Sequence, residues 1–308
     1  MPTRVFMSSG DMIADRRFDF ARDLQLRGDL AAAADLLVQA TELAPGFASA
    51  WFALGDLRDQ LGDRNGAITA FRCAQASDPD DRNGAGLRLM RLAAAELDAM
   101  PTTYVRTLFD QYAPKFEASL TGDLGYRGPA LLFKAVIAVR AAAGKPAFFR
   151  RAIDLGCGTG LAARTFAAQT DGIIGIDVSP KMIELAAATG LYAALEVAEI
   201  VDGLRGKPDA SADLVLAADV MVYVHDMAPV LREAARVLKE GGMLAFTAET
   251  HSGDGVVLGE GLRYAHGAAY VQSAVRAAGF ELRHFENASA RNESHVPAPG
   301  LVVVAARA

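Results

Sequence analysis

An apolar run, Ala152 to Leu155, opens directly into Asp154-Leu155-Gly156-Cys157-Gly158-Thr159-Gly160. Three glycines at alternate positions remove Cβ atoms, so the chain can turn sharply there and a ligand can lie against the main chain. In the dinucleotide pattern G-x-G-x-x-G the sixth place is Gly or Ala, whereas here it is Leu161 and the third glycine comes one residue early. Cys157 reads as a small side chain in this loop rather than a nucleophile. Toward the C-terminus, Gly261-Leu262-Arg263-Tyr264-Ala265-His266 is the densest polar cluster. Arg263 suits a bidentate grip on a carboxylate, Tyr264 a hydrogen bond to it, and His266 a proton taken near neutral pH. The same stretch also reads as the capped start of a helix, Gly267 to Ala278. His225 and Glu249 are further candidate bases, and Tyr126 and Arg127 are candidate substrate contacts.

These residues need a scaffold, and the pattern from Arg151 onward supplies one. Short apolar runs alternate with helical segments, which predicts a parallel sheet covered on both faces. Seven strands are expected: Ala152 to Leu155, Ile173 to Ile176, Tyr192 to Val197, Leu214 to Ala218, Met243 to Ala248, Phe280 to Phe285 and Leu301 to Ala306. Ligands of such sheets bind at the carboxyl ends of the strands. Leu161 to Gln169 continues the glycine loop as a helix.

The front of the chain follows a different rule. Trp51, Leu54, Gly55, Ala67, Phe71, Ala74 and Pro79 stand at the spacing of a tetratricopeptide repeat. Thirty-four residues earlier, at about that repeat's period, stand Arg17, Phe20, Ala21, Ala33, Leu37, Ala40 and Pro45. Gly55 and Ala67 let helices approach, Trp51 and Phe71 fill the space between them, and the prolines end helices. Asp29 and Asp63 follow glycines at the turns and are expected to cap the next helix. Leu87 to Leu97 reads as one more helix after the turn-rich stretch Ser77 to Gly86. Expected domains are a repeat unit at 1–86, a helical linker and lid at 87–144, and the sheet domain at 145–308.

A formal charge of −6 with 31 scattered Lys and Arg residues gives no electrostatic footprint for nucleic acid. Only two cysteines, Cys73 and Cys157, argue against a disulfide framework and for a reducing compartment. The first twenty residues contain no apolar run of signal-peptide length, and Ala130 to Gly144 is too short to span a bilayer. A cytoplasmic protein without a membrane partner is the expectation.

From the glycine loop on, the chain resembles the class I S-adenosylmethionine-dependent methyltransferases, whose spacing is D-x-G-x-G-x-G. The resemblance implies an α/β Rossmann-like fold with S-adenosylmethionine as cofactor, its amino-acid end on Asp154, Gly156, Cys157, Gly158 and Gly160. Asp177 stands where the family grips both ribose hydroxyls, with Val178 beside it; a carboxylate accepts two bonds from a diol. Met182 matches a residue that packs on adenine, and Glu199-Ile200 the pair that reads its amino group. Asp219 opens the stretch to His225, including Tyr223, that lines the methyl-transfer face. Phe109-Asp110-x-Tyr112-Ala113-x-x-Phe116 resembles a helix that folds over the cofactor, with Tyr112 touching it. With its repeats, the chain is similar to bacterial methyltransferases that contain tetratricopeptide repeats, distantly like trans-aconitate methyltransferases.

The leading expectation is in-line methyl transfer to a small metabolite, carboxylate-bearing if Arg263 faces it, with the repeats as a cap or dimer contact. His266, His225 and Tyr264 are the candidate catalytic side chains, and Tyr126, Arg127, Tyr223 and Arg263 the candidate acceptor contacts. In-line transfer requires no metal, and no His/Cys ligand set is visible. Two alternatives stand beside it: a protein or peptide methyltransferase recruiting its substrate through the repeats, and a scaffold that binds the cofactor without catalysis.

Overall fold

A computed structural model of the chain describes residues 5–95, 99–117, 125–293 and 296–308. Packing divides it into two compact units, residues 2–108 and 109–308, with the boundary inside one helix. Among the described residues no helix is long and apolar enough to cross a membrane.

The first unit is helical: α1 (Met12–Leu26), α2 (Leu30–Leu43), α3 (Ala48–Gln60), α4 (Arg64–Ser77), α5 (Ala85–Arg91) and the start of α6 (Thr102–Tyr112). Both α2 and α4 follow a turn made by a left-handed glycine, Gly28 at φ +85° and Gly62 at φ +82°. The aspartate after each glycine caps the helix, Asp29 accepting from the Ala32 N–H and Asp63 from the Gly66 N–H. Each such cap is worth about 1 kcal/mol. A Cβ on Gly55 would lie 2.5 Å from the Phe71 ring, so this glycine sets the approach of α3 and α4. Leu97, the expected end of the helix after α4, lies outside the described residues, as does Leu124.

The second unit is an α/β sandwich. Its main sheet takes β1 (Ala152–Leu155), β2 (Ile173–Asp177), β3 (Ala194–Val197), β4 (Ala212–Ala217), β5 (Leu238–His251), β6 (Val256–Leu258), β7 (Tyr264–Gly267), β8 (Phe280–Asn287) and β11 (Gly300–Arg307). Short β9 (Asn292–Glu293) and β10 (Val296–Pro297) pair separately. The order is β3-β2-β1-β4-β5-β11-β8, with β7 joining the far end of β5 and β6 joining β7. Each of the seven expected runs overlaps a strand of this sheet, with Tyr192, Ala193 and Ala218 left outside. Among the described residues it has nine strands rather than seven, and it is mixed rather than parallel, because β11 runs antiparallel to β5 and β8.

Successive residues of β4 alternate between the two cores, Leu214 and Leu216 on one face and Val215 and Ala217 on the other. The first face is covered by Leu132 and Val136 of the helix Gly128–Ala142 and by Phe166. The second is covered by the helices Ile200–Arg205, Ala228–Val237 and Ala268–Ala277. In Ala228–Val237, Val230, Leu231, Ala234 and Val237 fall on one helical stripe, which is why that segment docks as a helix. With both faces closed, ligand chemistry is left to the loops at the carboxyl ends of β1, β2, β4 and β5.

Candidate functional site

The glycine loop leaves β1 with all three glycines in the left-handed region, at φ +58°, +52° and +93°. A Cβ on Gly156 would sit 2.5 Å from Val220 Cγ2, so the loop and the segment after β4 are in direct contact. Asp177 ends β2 almost wholly buried, and its two oxygens accept from the Gly158 and Ser179 N–H groups, each at 2.9 Å. Burial pushes its carboxyl above the ordinary value. Each oxygen keeps lone-pair capacity for a further donor. Asp154, also buried, accepts from the Tyr192 hydroxyl at 2.7 Å. Burial raises it to about 7 although the tyrosine bond opposes the shift.

The end of α6 lies on this loop. Asp110 accepts from the Ser179 hydroxyl at 2.6 Å, and Ser179 itself caps the helix Pro180–Ala188 through the Met182 N–H. The Phe116 ring is 3.5 Å from where a Cβ on Gly158 would stand, and it packs edge-on against Tyr112. Among the described residues two buried hydroxyls here have no hydrogen-bond partner, Thr159 Oγ1 in the loop and Tyr112 Oη at the end of α6. A buried hydroxyl without a partner costs about 1–3 kcal/mol, which a polar ligand would recover.

Next to the loop, at the ends of β4 and β5, four charges meet. Arg263 donates from Nε to Glu249 at 2.8 Å, from Nη1 to the Tyr223 hydroxyl at 2.9 Å and from Nη2 to Asp219 at 2.5 Å. Arg291 donates twice to the same Glu249 oxygen, at 3.1 and 2.8 Å. Burial would raise the Glu249 carboxyl, but the two guanidinium groups outweigh it and hold it below its usual value. Two arginines and two carboxylates cancel. Tyr223 lies under the Arg263 guanidinium and meets Phe109 of α6 edge-on at 5.4 Å.

The structure brings Asp154, Gly156, Cys157, Gly158, Gly160, Asp177, Val178 and Met182 to one end of the sheet, with Tyr112 near. Met182 is fully buried, and burial pushes the Cys157 thiol strongly up, against any nucleophilic role. Glu199 caps its own helix, accepting from the Val201 and Asp202 N–H groups, with Ile200 buried behind it. Tyr126 is half-buried, and burial, then the carboxylates of Asp219 and Asp154, push its phenol up. Arg127 is exposed and bound to the carbonyls of Ser289 and Ala290.

Three expectations for this region need correction. A helix does follow the cluster, Ala268–Ala277 with Gly267 at its N-cap and no side-chain cap, but Tyr264–Gly267 itself is strand β7, paired in parallel with the end of β5. His266 is fully buried in that strand with Nε2 2.9 Å from the Val224 carbonyl, and burial lowers it to about 4, which keeps the imidazole neutral. Tyr264 is equally buried, its phenol pushed up by burial, and the exposed His225 packs against its ring at 5.2 Å. Arg291 and Tyr192 went unnoticed in the sequence as members of the site; each is recruited by a partner remote in the chain.

Residues 153–246, which run from β1 through most of β5, match the family model described as a methyltransferase domain. The matched segment lies wholly within the second unit. A ubiquinone biosynthesis O-methyltransferase of Xanthomonas oryzae is 31% identical over 97 residues, 30% of this chain and 41% of that protein. The 27-O-demethylrifamycin SV methyltransferase of Amycolatopsis mediterranei is 38% identical over 100 residues, 31% of this chain and 37% of that protein. The chain thus spans about two fifths of the length of these curated relatives. Among solved structures, the Burkholderia thailandensis 1,6-didemethyltoxoflavin-N1-methyltransferase has the same fold, with a TM-score of 0.50 and 18% identity over 69% of this chain and 92% of that one. The methyltransferase domain holds the glycine loop, Asp177, Glu199 and Asp219 in one continuous segment.

Proposed function

We propose that the protein is an S-adenosylmethionine-dependent O-methyltransferase acting on a hydroxyl of a small, uncharged molecule. The observation that carries this is the closed charge balance beside the glycine loop. Arg263, a candidate anchor for an acceptor carboxylate, is already held by Asp219, Glu249 and Tyr223, so a second carboxylate would enter a site with no net positive charge among its described residues. The edge-on pair of Phe109 and Tyr223 suits a flat, weakly polar acceptor instead. The oxygen chemistry of the ubiquinone and rifamycin relatives points the same way.

In this reading Asp177 takes the ribose hydroxyls on its remaining lone pairs, Met182 and Ile200 flank the adenine, and Glu199 presents its second oxygen to the adenine amino group. Thr159 and Tyr112 meet the amino-acid end, which gives both orphaned hydroxyls a partner. Bound S-adenosylmethionine supplies an electrophilic methyl on a sulfonium centre. The protein's work is to hold the acceptor oxygen in line with that methyl and to keep water out; the aromatic end of α6 does the second. The helices before α6 carry a tetratricopeptide-like spacing, and we read them as a packing or partner surface rather than as part of the chemistry.

The test is release of S-adenosylhomocysteine from the full chain with a panel of neutral phenols and alcohols set against aliphatic carboxylic acids. Turnover confined to hydroxyl acceptors is expected. Turnover confined to the acids would overturn the reading.

A further inference from the structure

Beside the glycine loop the chain holds an aspartate in a costly backbone conformation. Asp219 has φ +62°, and Leu262, which precedes its partner Arg263, has φ +54°. Neither residue is a glycine, and left-handed backbone at such positions costs on the order of 1 kcal/mol or more. Both are over-determined by their surroundings. The Asp219 N–H donates to the buried Thr247 hydroxyl on β5 at 2.8 Å, and Leu262 is itself buried. The two strained residues aim one ion pair.

That pair leaves a reactive atom available. Arg263 takes Asp219 Oδ1, and among the described residues no hydrogen bond reaches Oδ2. The carboxylate is about one fifth exposed, so a ligand reaches it. Its neighbour Val220 packs on Gly156, which sets Asp219 at the mouth of the glycine loop.

We propose, resting on the hydroxyl-acceptor reading above, that Asp219 is the proton acceptor of the reaction and that Arg263 is its positioning residue. The acceptor oxygen forms the O–CH3 bond as the C–S bond breaks with its electron pair to sulfur, and the hydroxyl proton goes to Asp219 Oδ2. Solvent removes that proton before the next turnover. Positive charge disappears at sulfur and reappears on the group of Asp219, Glu249, Arg263 and Arg291, which moves from neutral to a single positive charge. The site therefore carries the same total charge before and after. Glu249, the other carboxylate, accepts bonds from both guanidinium groups.

The experiment uses the full chain loaded with S-adenosylhomocysteine and 4-nitrocatechol as a chromophoric hydroxyl probe, titrated by absorbance. A carboxylate beside the probe disfavours its anion, whereas Asp219→Asn leaves Arg263 under-neutralised and favours it. The bound probe is expected to ionise at least about one pH unit lower in D219N than in wild type, a change of about tenfold. With S-adenosylmethionine, kcat falls by about a hundredfold or more in D219N, KM for the cofactor stays within about threefold, and D219E restores part of the rate. If D219N does not fold, Asp219→Ser serves for the same comparison. Identical probe titration in wild type and variant, with tight binding in both, overturns the assignment of Asp219 alone. Failure of the loaded wild type to bind the probe at millimolar concentration overturns the hydroxyl-acceptor reading and the assignment with it.

Discussion

Replacing Asp177 with alanine removes both ends of the link between β2 and the glycine loop. In the native site its oxygens accept from Gly158 and Ser179 and, in the proposed complex, from two ribose hydroxyls. Two bonds to a charged acceptor at about 1.5 kcal/mol each amount to about 3 kcal/mol, or roughly a hundredfold in Kd. Freeing the Gly158 N–H loosens the loop and adds to that loss. Asp177→Asn keeps one acceptor oxygen and should fall between wild type and alanine. Calorimetric titration with S-adenosylhomocysteine reads the effect, with circular dichroism and a urea midpoint to confirm that each variant is folded. A folded alanine variant whose Kd stays within about threefold of wild type would refute the placement of the ribose.

The remaining predictions concern stability as much as binding. Gly156→Ala forces a Cβ into Val220 at a left-handed position and should cost roughly 1–3 kcal/mol in urea unfolding while abolishing cofactor binding; a loss under about 0.5 kcal/mol would contradict the packing described. Arg263→Met strands Asp219 beside Glu249, and about 3 kcal/mol of destabilisation is expected, relieved by adding Asp219→Asn. Asp154, raised to about 7 by burial, holds its proton in the folded chain after the unfolded chain has released it. Its contribution to the cofactor-free protein is therefore full below about pH 4 and is lost as pH rises to about 7. Wild type should lose stability relative to Asp154→Asn between pH 5 and pH 7 and hold level above, as urea midpoints will show; a gap constant with pH would refute it. Gly55→Leu drives a side chain into Phe71 and should destabilise the helical unit by roughly 1–3 kcal/mol without changing S-adenosylhomocysteine affinity.

The sheet was legible because its strands are apolar runs of adequate length between turn signals. Strand β7 was not, because Tyr264-Ala265-His266-Gly267 has no apolar run and exists by pairing with the overhanging end of β5. That pairing also decides the fate of His266, which residue type alone marks as a base and which burial makes a structural side chain. Arg291 sits in the polar stretch Asn287 to Asn292, where a charge ordinarily faces solvent; Glu249, 42 residues earlier, draws it in. Arg263 was visible as an arginine near the acceptor, but whether it is free or already neutralised depends on Asp219 at a separation of 44 residues, which no local pattern reports. The glycine loop and Asp177 stood out because their demands, missing Cβ atoms and a carboxylate at a strand end, are written in single residue types.

The central claim is that the loop Asp154 to Gly160, with Asp177 and the end of α6, forms a pocket for S-adenosylmethionine. Calorimetric titration of the full chain with S-adenosylmethionine tests it most directly. Saturable one-to-one binding in the micromolar range is predicted, and absence of heat throughout the sub-millimolar range in a folded sample would contradict it.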